Sequence, residues 1–247
     1  MRVYTVVALL LLVLLVPAAA EAIPRVDLSI GGSDPTAPAQ ISSTLKILAA
    51  LTLLSLAPAI LMLMTCFTRI VIVLTFVRQS LGVQGTPPNQ VMVGLALMLT
   101  FFVMAPVGKK IHEQALKPYI EGKLAEREAL DAGLSPLRRF MLNQTRMKDL
   151  QFFLDLTDAP PPQRPDDLSL HVLIPAFVVS ELTAAFHMGF LIYIPFLLLD
   201  FVLASILMSM GMVMLPPALI SLPLKVMLFV LVDGWHLVVG SLVRSFY

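Results

Sequence analysis

Residues 174–235 read IPAFVVSELTAAFHMGFLIYIPFLLLDFVLASILMSMGMVMLPPALISLPLKVMLFVLVDGW, and this stretch decides the fold class. It is apolar almost throughout, yet it is punctuated by Pro175, Glu181, His187, Pro195, Asp200, Pro216, Pro217, Pro223, Lys225 and Asp233. Two long helices joined near Gly211 to Pro217 fit it best. Gly211 loosens the backbone, and the Pro216-Pro217 pair stops the preceding helix from simply continuing. Ionised side chains at membrane depth cost at least about 2.5–3.5 kcal/mol each, so Glu181, Asp200, Lys225 and Asp233 require partners, water or a protein interior. Glu181 lies thirty residues before Gly211 and Lys225 fourteen past it, so an ideal hairpin does not bring the two level within one chain. A pair between subunits stays open, as does a place for Asp200 and Asp233 at helix ends in the headgroup region.

The rest of the chain agrees. Its 247 residues are 58% hydrophobic and 13% charged, with a mean hydropathy of +0.89, whereas soluble domains average about 45–50% apolar and about 25% charged. Lipid is therefore the main solvent expected for an all-helical membrane protein. The net charge of +1 comes without clustered Lys and Arg, which removes a nucleic-acid surface from consideration. The single cysteine, Cys66, excludes an intrachain disulfide and a Cys-based zinc cage.

Working outward, residues 1–22 read as a cleavable signal peptide: Arg2 supplies a positive start, residues 3–16 an apolar run, and Pro17-Ala18-Ala19-Ala20-Glu21-Ala22 small-residue cleavage sites. Residues 23–43, rich in Pro, Gly, Ser and Asp, read as an exposed arm. Residues 44–107 hold the first two hydrophobic helices. The first apolar run, 45–76, is interrupted by Pro58 and Arg69 and would rise about 48 Å as one helix, beyond a hydrocarbon core of about 30 Å, so it is expected to be kinked, tilted or only partly in lipid. The link 78–90 leads into the second span, 91–107. Arg69 and Arg78 flank that turn and no acidic residue lies between Asp34 and Glu113, so the positive-inside rule makes the turn cytoplasmic. Residues 108–170, with ten basic and ten acidic side chains, form the expected extracytoplasmic helical domain. Ser135-Pro136 looks like a helix start there, with Ser135 as N-cap and Pro136 at the first helical position. Residues 158–165 hold four prolines and read as a stiff linker. Residues 171–247 carry the second hydrophobic pair, giving four spans by hydropathy in the mature chain.

Met208, Met210, Met212 and Met214 recur at every second position around Gly211. An extended loop puts such residues on one side, whereas a helix spreads them around its circumference. Methionine is flexible and polarizable, so several copies of such a loop around an axis would make a compressible collar. Ordinary apolar packing and a Cu(I) site of soft thioethers are the other two readings. Met62, Met64 and Cys66 offer a second, similar row. No catalytic triad, zinc motif or haem attachment is recognisable; His112 and His171 read as lying outside the bilayer core, and His187 and His236 as packed or interfacial. The residues point to no enzyme, no cofactor and no resident metal.

The stretch from Ile174 to Trp235 closely resembles the signature of the FliP family of flagellar type III export-gate proteins, which are related to the equivalent subunit of virulence secretion systems. Upstream, LMLMTCFTRIVIVLTFVRQSLG and PPNQVMVGLALMLTFFVMAPV are similar to the same family. The resemblance implies a non-enzymatic subunit of an export channel in the bacterial inner membrane, at the flagellar basal body. It implies several copies of this chain assembled with FliQ-, FliR- and FlhB-like subunits around unfolded flagellar proteins in transit. Carried over, the methionine loop is a pore gasket formed by Met208, Met210, Met212 and Met214, and Glu181 and Lys225 form an intersubunit salt bridge. It also implies that the hydrophobic helices need not all lie in the bilayer once assembled. A small-solute or Cu(I) transporter and a virulence-system subunit are the competing functions.

Overall fold

The computed structural model describes residues 48, 51–52, 54–56, 59–60, 62–83, 87–157, 168–212 and 216–247. The chain divides at Thr52 into two units, and all that follows concerns the second, Leu53–Tyr247. The signal peptide and the N-terminal arm lie outside the described residues, as do the proline-rich linker and Met214.

All regular structure among the described residues is helical. Helix α1 spans Phe67–Leu81. It is rich in β-branched residues, poor helix formers in isolation, and is held by tertiary burial instead. Ile70, Val73, Leu74, Val77 and Leu81 form one buried stripe at three- and four-residue spacing. The helix stops at Gly82, whose φ of 71° is the left-handed conformation of a C-terminal cap. The apolar run 45–76 is thus not one helix: a turn at 64–66 breaks it. Phe67 N–H bonds the Thr65 hydroxyl there, and α1 runs five residues past Phe76 to Leu81.

Helix α2, Asn89–Ile111, continues through a π-helical turn, His112–Leu116, into the short α3, Lys117–Ile120. The wide turn lies immediately before Pro118, whose ring crowds the carbonyl four residues back and cannot donate to it. The apolar helix therefore outruns the expected 91–107 span. Helix α4 is Glu126–Gln144 and α5 is Met147–Asp155. Ser135-Pro136 is not a helix start: α4 runs straight through Pro136. The true start is ten residues earlier, where Glu126 and Glu128 fill the first turn and Glu128 accepts a 3.2 Å bond from the Ala125 N–H.

Helix α6, Leu170–Ser209, is 40 residues long, carries Pro175 and Pro195, and receives α1, α4, α5 and the helix that starts at Pro217 along its length. At about 1.5 Å per residue it is roughly 60 Å long, twice a hydrocarbon core. Only 11% of its most apolar window is buried within the chain, leaving Phe186, Phe190, Leu198 and Phe201 exposed. Such a surface requires lipid or other subunits to cover it. The second helix of the pair is corrected too: it is broken into α7, Pro217–Leu231, and α8, Gly234–Arg244, bent by 63°. Asp233 sits at the bend with φ 50°, a left-handed conformation that Asp tolerates better than most side chains. Among the described residues two helices are long and apolar enough to cross a membrane, Asn89–Ile120 and Leu170–Ser209, and the bent pair would make a third. The fourth expected span falls in residues that are only partly described.

Gly189 sets the approach of α6 to α1. A Cβ there would lie 2.4 Å from the Phe76 ring. Gly189→Ala is expected to lower stability by about 1–3 kcal/mol, the usual cost of overpacking. A thermal midpoint equal to the parent's in detergent would show that Phe76 moves aside freely.

Candidate functional site

The densest polar cluster is centred on Arg69, only 4% exposed, on α1. Its Nε donates to Glu181 Oε2 at 3.0 Å and its Nη2 to Glu181 Oε1, a two-pronged pair to α6. Nη2 also donates to Gln144 Oε1 at 3.1 Å, at the end of α4. Nη1 donates to the Ser245 carbonyl at 3.2 Å and to Ser245 Oγ at 3.0 Å, just past α8. These five bonds match the five N–H donors of a guanidinium, in a fork that lysine cannot reproduce. The Phe246 ring lies over the guanidinium, 4.1 Å from Cζ, and the Phe246 carbonyl accepts from Gln144 Nε2 at 3.1 Å. Glu181, fully buried, would be an intolerable charge without this cation. Arg69 therefore ties four helices together, a packing role that its place beside the 78–90 turn does not show.

One residue before Glu181, Ser180 anchors α6 to the start of α5. Its hydroxyl donates to Asp149 Oδ2 at 2.6 Å and accepts the Arg146 N–H at 3.1 Å. Arg146 Nε donates to the same carboxylate oxygen at 2.8 Å. Burial works against the ionised Asp149, but Ser180 and Arg146 outweigh it and hold the carboxyl below its usual range. A depressed folded-state value means the contribution is complete above the unfolded value, about 3.9, and is lost as pH falls through the folded one. Asp149→Asn is accordingly expected to start less stable at neutral pH and to lose less on acidification. Parallel acid limbs in thermal midpoint against pH would contradict this.

The remaining acid of α6, Asp200, pairs with the one lysine of α7. Lys225 Nζ meets Asp200 Oδ2 at 2.5 Å, with the lysine side chain 8% and the aspartate 37% exposed. The other aspartate oxygen, Oδ1, is shielded and makes no hydrogen bond. The ammonium also stands 4.0 Å from where a Cβ on Gly82 would be, at the carbonyl end of α1, where a cation is favoured. Within one chain, then, Glu181 and Lys225 have separate partners. Asp233 is exposed at the bend rather than buried.

Over its described residues, 208–212, the methionine segment differs from the expected extended loop. Met208 still belongs to α6 and Met210 caps it. Gly211, φ 76°, then turns the chain: its N–H bonds the Met208 carbonyl at 3.0 Å, and the Met212 N–H bonds the Leu207 carbonyl at 3.0 Å. This is a Schellman cap, which satisfies carbonyls at the end of the helix. Met208 and Met210 are 63% and 66% exposed while Leu207 is buried. The alternation is therefore a capped helix end presenting two free thioethers. The second row does not hold together: Met62 is exposed whereas Met64 and Cys66 are buried. No group of three or more His, Cys, Asp or Glu that could hold a metal occurs among the described residues. His112, His171, His187 and His236 are all exposed.

Sequence reasoning overlooked Arg69, Gln144, Ser180, Ser245 and Phe246 as one site. A lone arginine inside an apolar run was the available signal, by the same argument that flagged Glu181.

A sequence model of the FliP family matches residues 50–242. The chain is 54% identical over 209 residues to the flagellar biosynthetic protein FliP of Bacillus subtilis (strain 168), covering 85% of this chain and 95% of that relative. It is 51% identical over 204 residues to the protein of the same name from Pectobacterium carotovorum subsp. carotovorum, covering 83% and 79%. It is 46% identical over 241 residues to that of Aquifex aeolicus (strain VF5), covering 97% and 98%.

Proposed function

The chain belongs to the FliP family, and from that premise we propose that it is a structural and gating subunit of the flagellar type III protein-export channel in the inner membrane. Several copies would assemble with FliQ-, FliR- and FlhB-like subunits and pass unfolded flagellar proteins. The observation that best supports this reading is α6: an apolar helix about twice as long as a bilayer core, left uncovered by its own chain, and ending in a capped turn with free methionines. Neighbouring copies would cover the side of α6 and bring the methionine turns together, with Met208, Met210, Met212 and Met214 as a gasket. In this reading residues 108–170 face the extracytoplasmic side.

The chain-to-chain pair of Glu181 with Lys225 enters as an exchange of partners. Glu181 would share or leave Arg69, and Lys225 would share or leave Asp200, when a second copy docks. The unsatisfied Asp200 Oδ1 leaves room for one more donor in that rearrangement. A charge reversal of both pairs, Glu181→Lys with Arg69→Glu and Lys225→Glu with Asp200→Lys, keeps opposite charges within each chain as well as between chains and tests the exchange: recovery of assembly when both are reversed supports it, and assembly with only one pair reversed overturns it.

The direct test of function is a clean deletion. Loss of flagellin export and motility, restored by the intact gene, is expected. Normal export in the deletion strain overturns the reading, and copper-dependent binding or uptake by the purified protein would favour the transporter instead. No curated relative reported above is named for solute or metal transport.

A further inference from the structure

The Arg69–Glu181 pair is held from outside by the turn that closes α8, and α8 hangs on a single left-handed residue. Ser245 accepts two bonds from Arg69 Nη1 through its carbonyl and its hydroxyl, while that hydroxyl donates to the Leu242 carbonyl at 2.7 Å. The guanidinium thus caps the carbonyl end of α8, where a cation is favoured. The Phe246 ring covers the guanidinium face, and Gln144 locks the arrangement by accepting from Arg69 and donating to Phe246. At the other end of α8, Asp233 adopts φ 50° with no side-chain cap on the helix it starts. Its carbonyl still accepts the Leu237 N–H at 3.1 Å, so the helix is intact right up to the joint. Residues in sparsely populated backbone regions persist only where their surroundings over-determine them. Here the surroundings are the two ends: Phe229 and Trp235 pack ring edge to face across the joint, and Ser245 and Phe246 hold the far end.

We propose that Ser245 and Phe246 are positioning residues that latch Arg69 onto Glu181, and that the Asp233 joint is the hinge over which α8 delivers or withdraws them. With the latch closed, all five guanidinium donors are engaged and Glu181 is held inside its own chain. With α8 withdrawn, Arg69 loses two hydrogen bonds and its ring cover. Glu181 then becomes available to a second cation. That last consequence rests on the chain-to-chain Glu181–Lys225 pair proposed above, whereas the latch itself is a property of one chain.

The test measures a distance within the isolated full chain in detergent. Spin labels are placed on exposed sites of α1 and α8, at Thr75→Cys and Leu237→Cys, in a Cys66→Ala background. The parent is expected to give one distance population. Phe246→Ala and Gln144→Ala should each raise a second, longer population by about 5–30-fold, the effect of losing one or two modest interactions. The double variant should add nothing to either alone, because both open the same latch. Phe246→Tyr, which keeps the ring, should restore the single population. An unchanged distribution in Phe246→Ala overturns the proposal, as does Phe246→Tyr behaving like alanine. A fall in helix content in Phe246→Ala also overturns it, since that would make the ring simple packing. Because only one chain is measured, failure here leaves the chain-to-chain pair standing. Failure of the charge reversal leaves the latch standing.

Discussion

Arg69→Ala is expected to cost about 3–5 kcal/mol of folding stability, the usual penalty for removing one partner of a buried ion pair. The reason is Glu181, which is 0% exposed and takes both prongs of its charge compensation from Arg69. Arg69→Lys keeps the charge but offers three donors from one point in place of a five-donor fork. It cannot reach Glu181, Gln144 and Ser245 together, so a loss of about 1.5–3 kcal/mol is expected, that of one charge-assisted bond. The informative variant removes both charges: Arg69→Met with Glu181→Leu should recover most of the stability lost by Arg69→Ala, since a well-packed apolar pair often replaces a buried ion pair at little cost. Heat- and SDS-induced loss of helicity in detergent reads all three. If Arg69→Ala costs less than about 1 kcal/mol, Glu181 has found water and the site is not sealed. If the apolar double variant is stable yet fails to support export, the pair is kept for its role in assembly rather than for folding.

The fold class was legible because apolar content alone forces a helical membrane protein, and the helix end at Gly211 was legible because glycine favours the left-handed conformation, whereas the end at Gly82, five residues past Phe76, was not read. The bend at Asp233 was not, because a non-glycine residue with positive φ leaves no mark in periodicity. Ser135-Pro136 misled for the opposite reason: a local start signal is only a preference, and a helix already begun at Glu126 absorbs one proline at the expense of one hydrogen bond. Arg69 was hidden by distance along the chain. Its partners lie 75, 112 and 176 residues away, so nothing in the apolar run around it shows that it is buried or what satisfies it. The two α6 acids, Glu181 and Asp200, could be flagged as groups needing partners, because the cost of a buried charge is a property of the residue and needs no topology. Which cation each would find was a question of tertiary structure, and the single chain answers it with Arg69 and Lys225.

Replacing Met208, Met210 and Met212 together by alanine is expected to make the assembled closed gate leak small ions and solutes while leaving the chain folded. In the isolated chain Met208 and Met210 stand 63% and 66% exposed at the capped end of α6, so their truncation removes little of its own packing. In an assembly that brings these turns together they would be buried against each other. Truncating a buried methionine then removes about 2–5 kcal/mol of packing. A single such loss exceeds the 1.4 kcal/mol that changes an equilibrium tenfold, so even partial burial should shift the gate measurably toward conducting states. Methionine to leucine preserves volume and normally costs under about 1.5 kcal/mol, so the leucine triple should seal at rest. It lacks the unbranched flexibility of the thioether, and slower resealing after each substrate is the expected defect. Conductance of the purified complex in liposomes, with export rate measured in parallel, separates the two variants. Adding Met214→Ala asks whether the fourth thioether shares the role. An alanine triple that assembles and stays as tight as the parent would remove the gasket and return these methionines to ordinary packing between subunits.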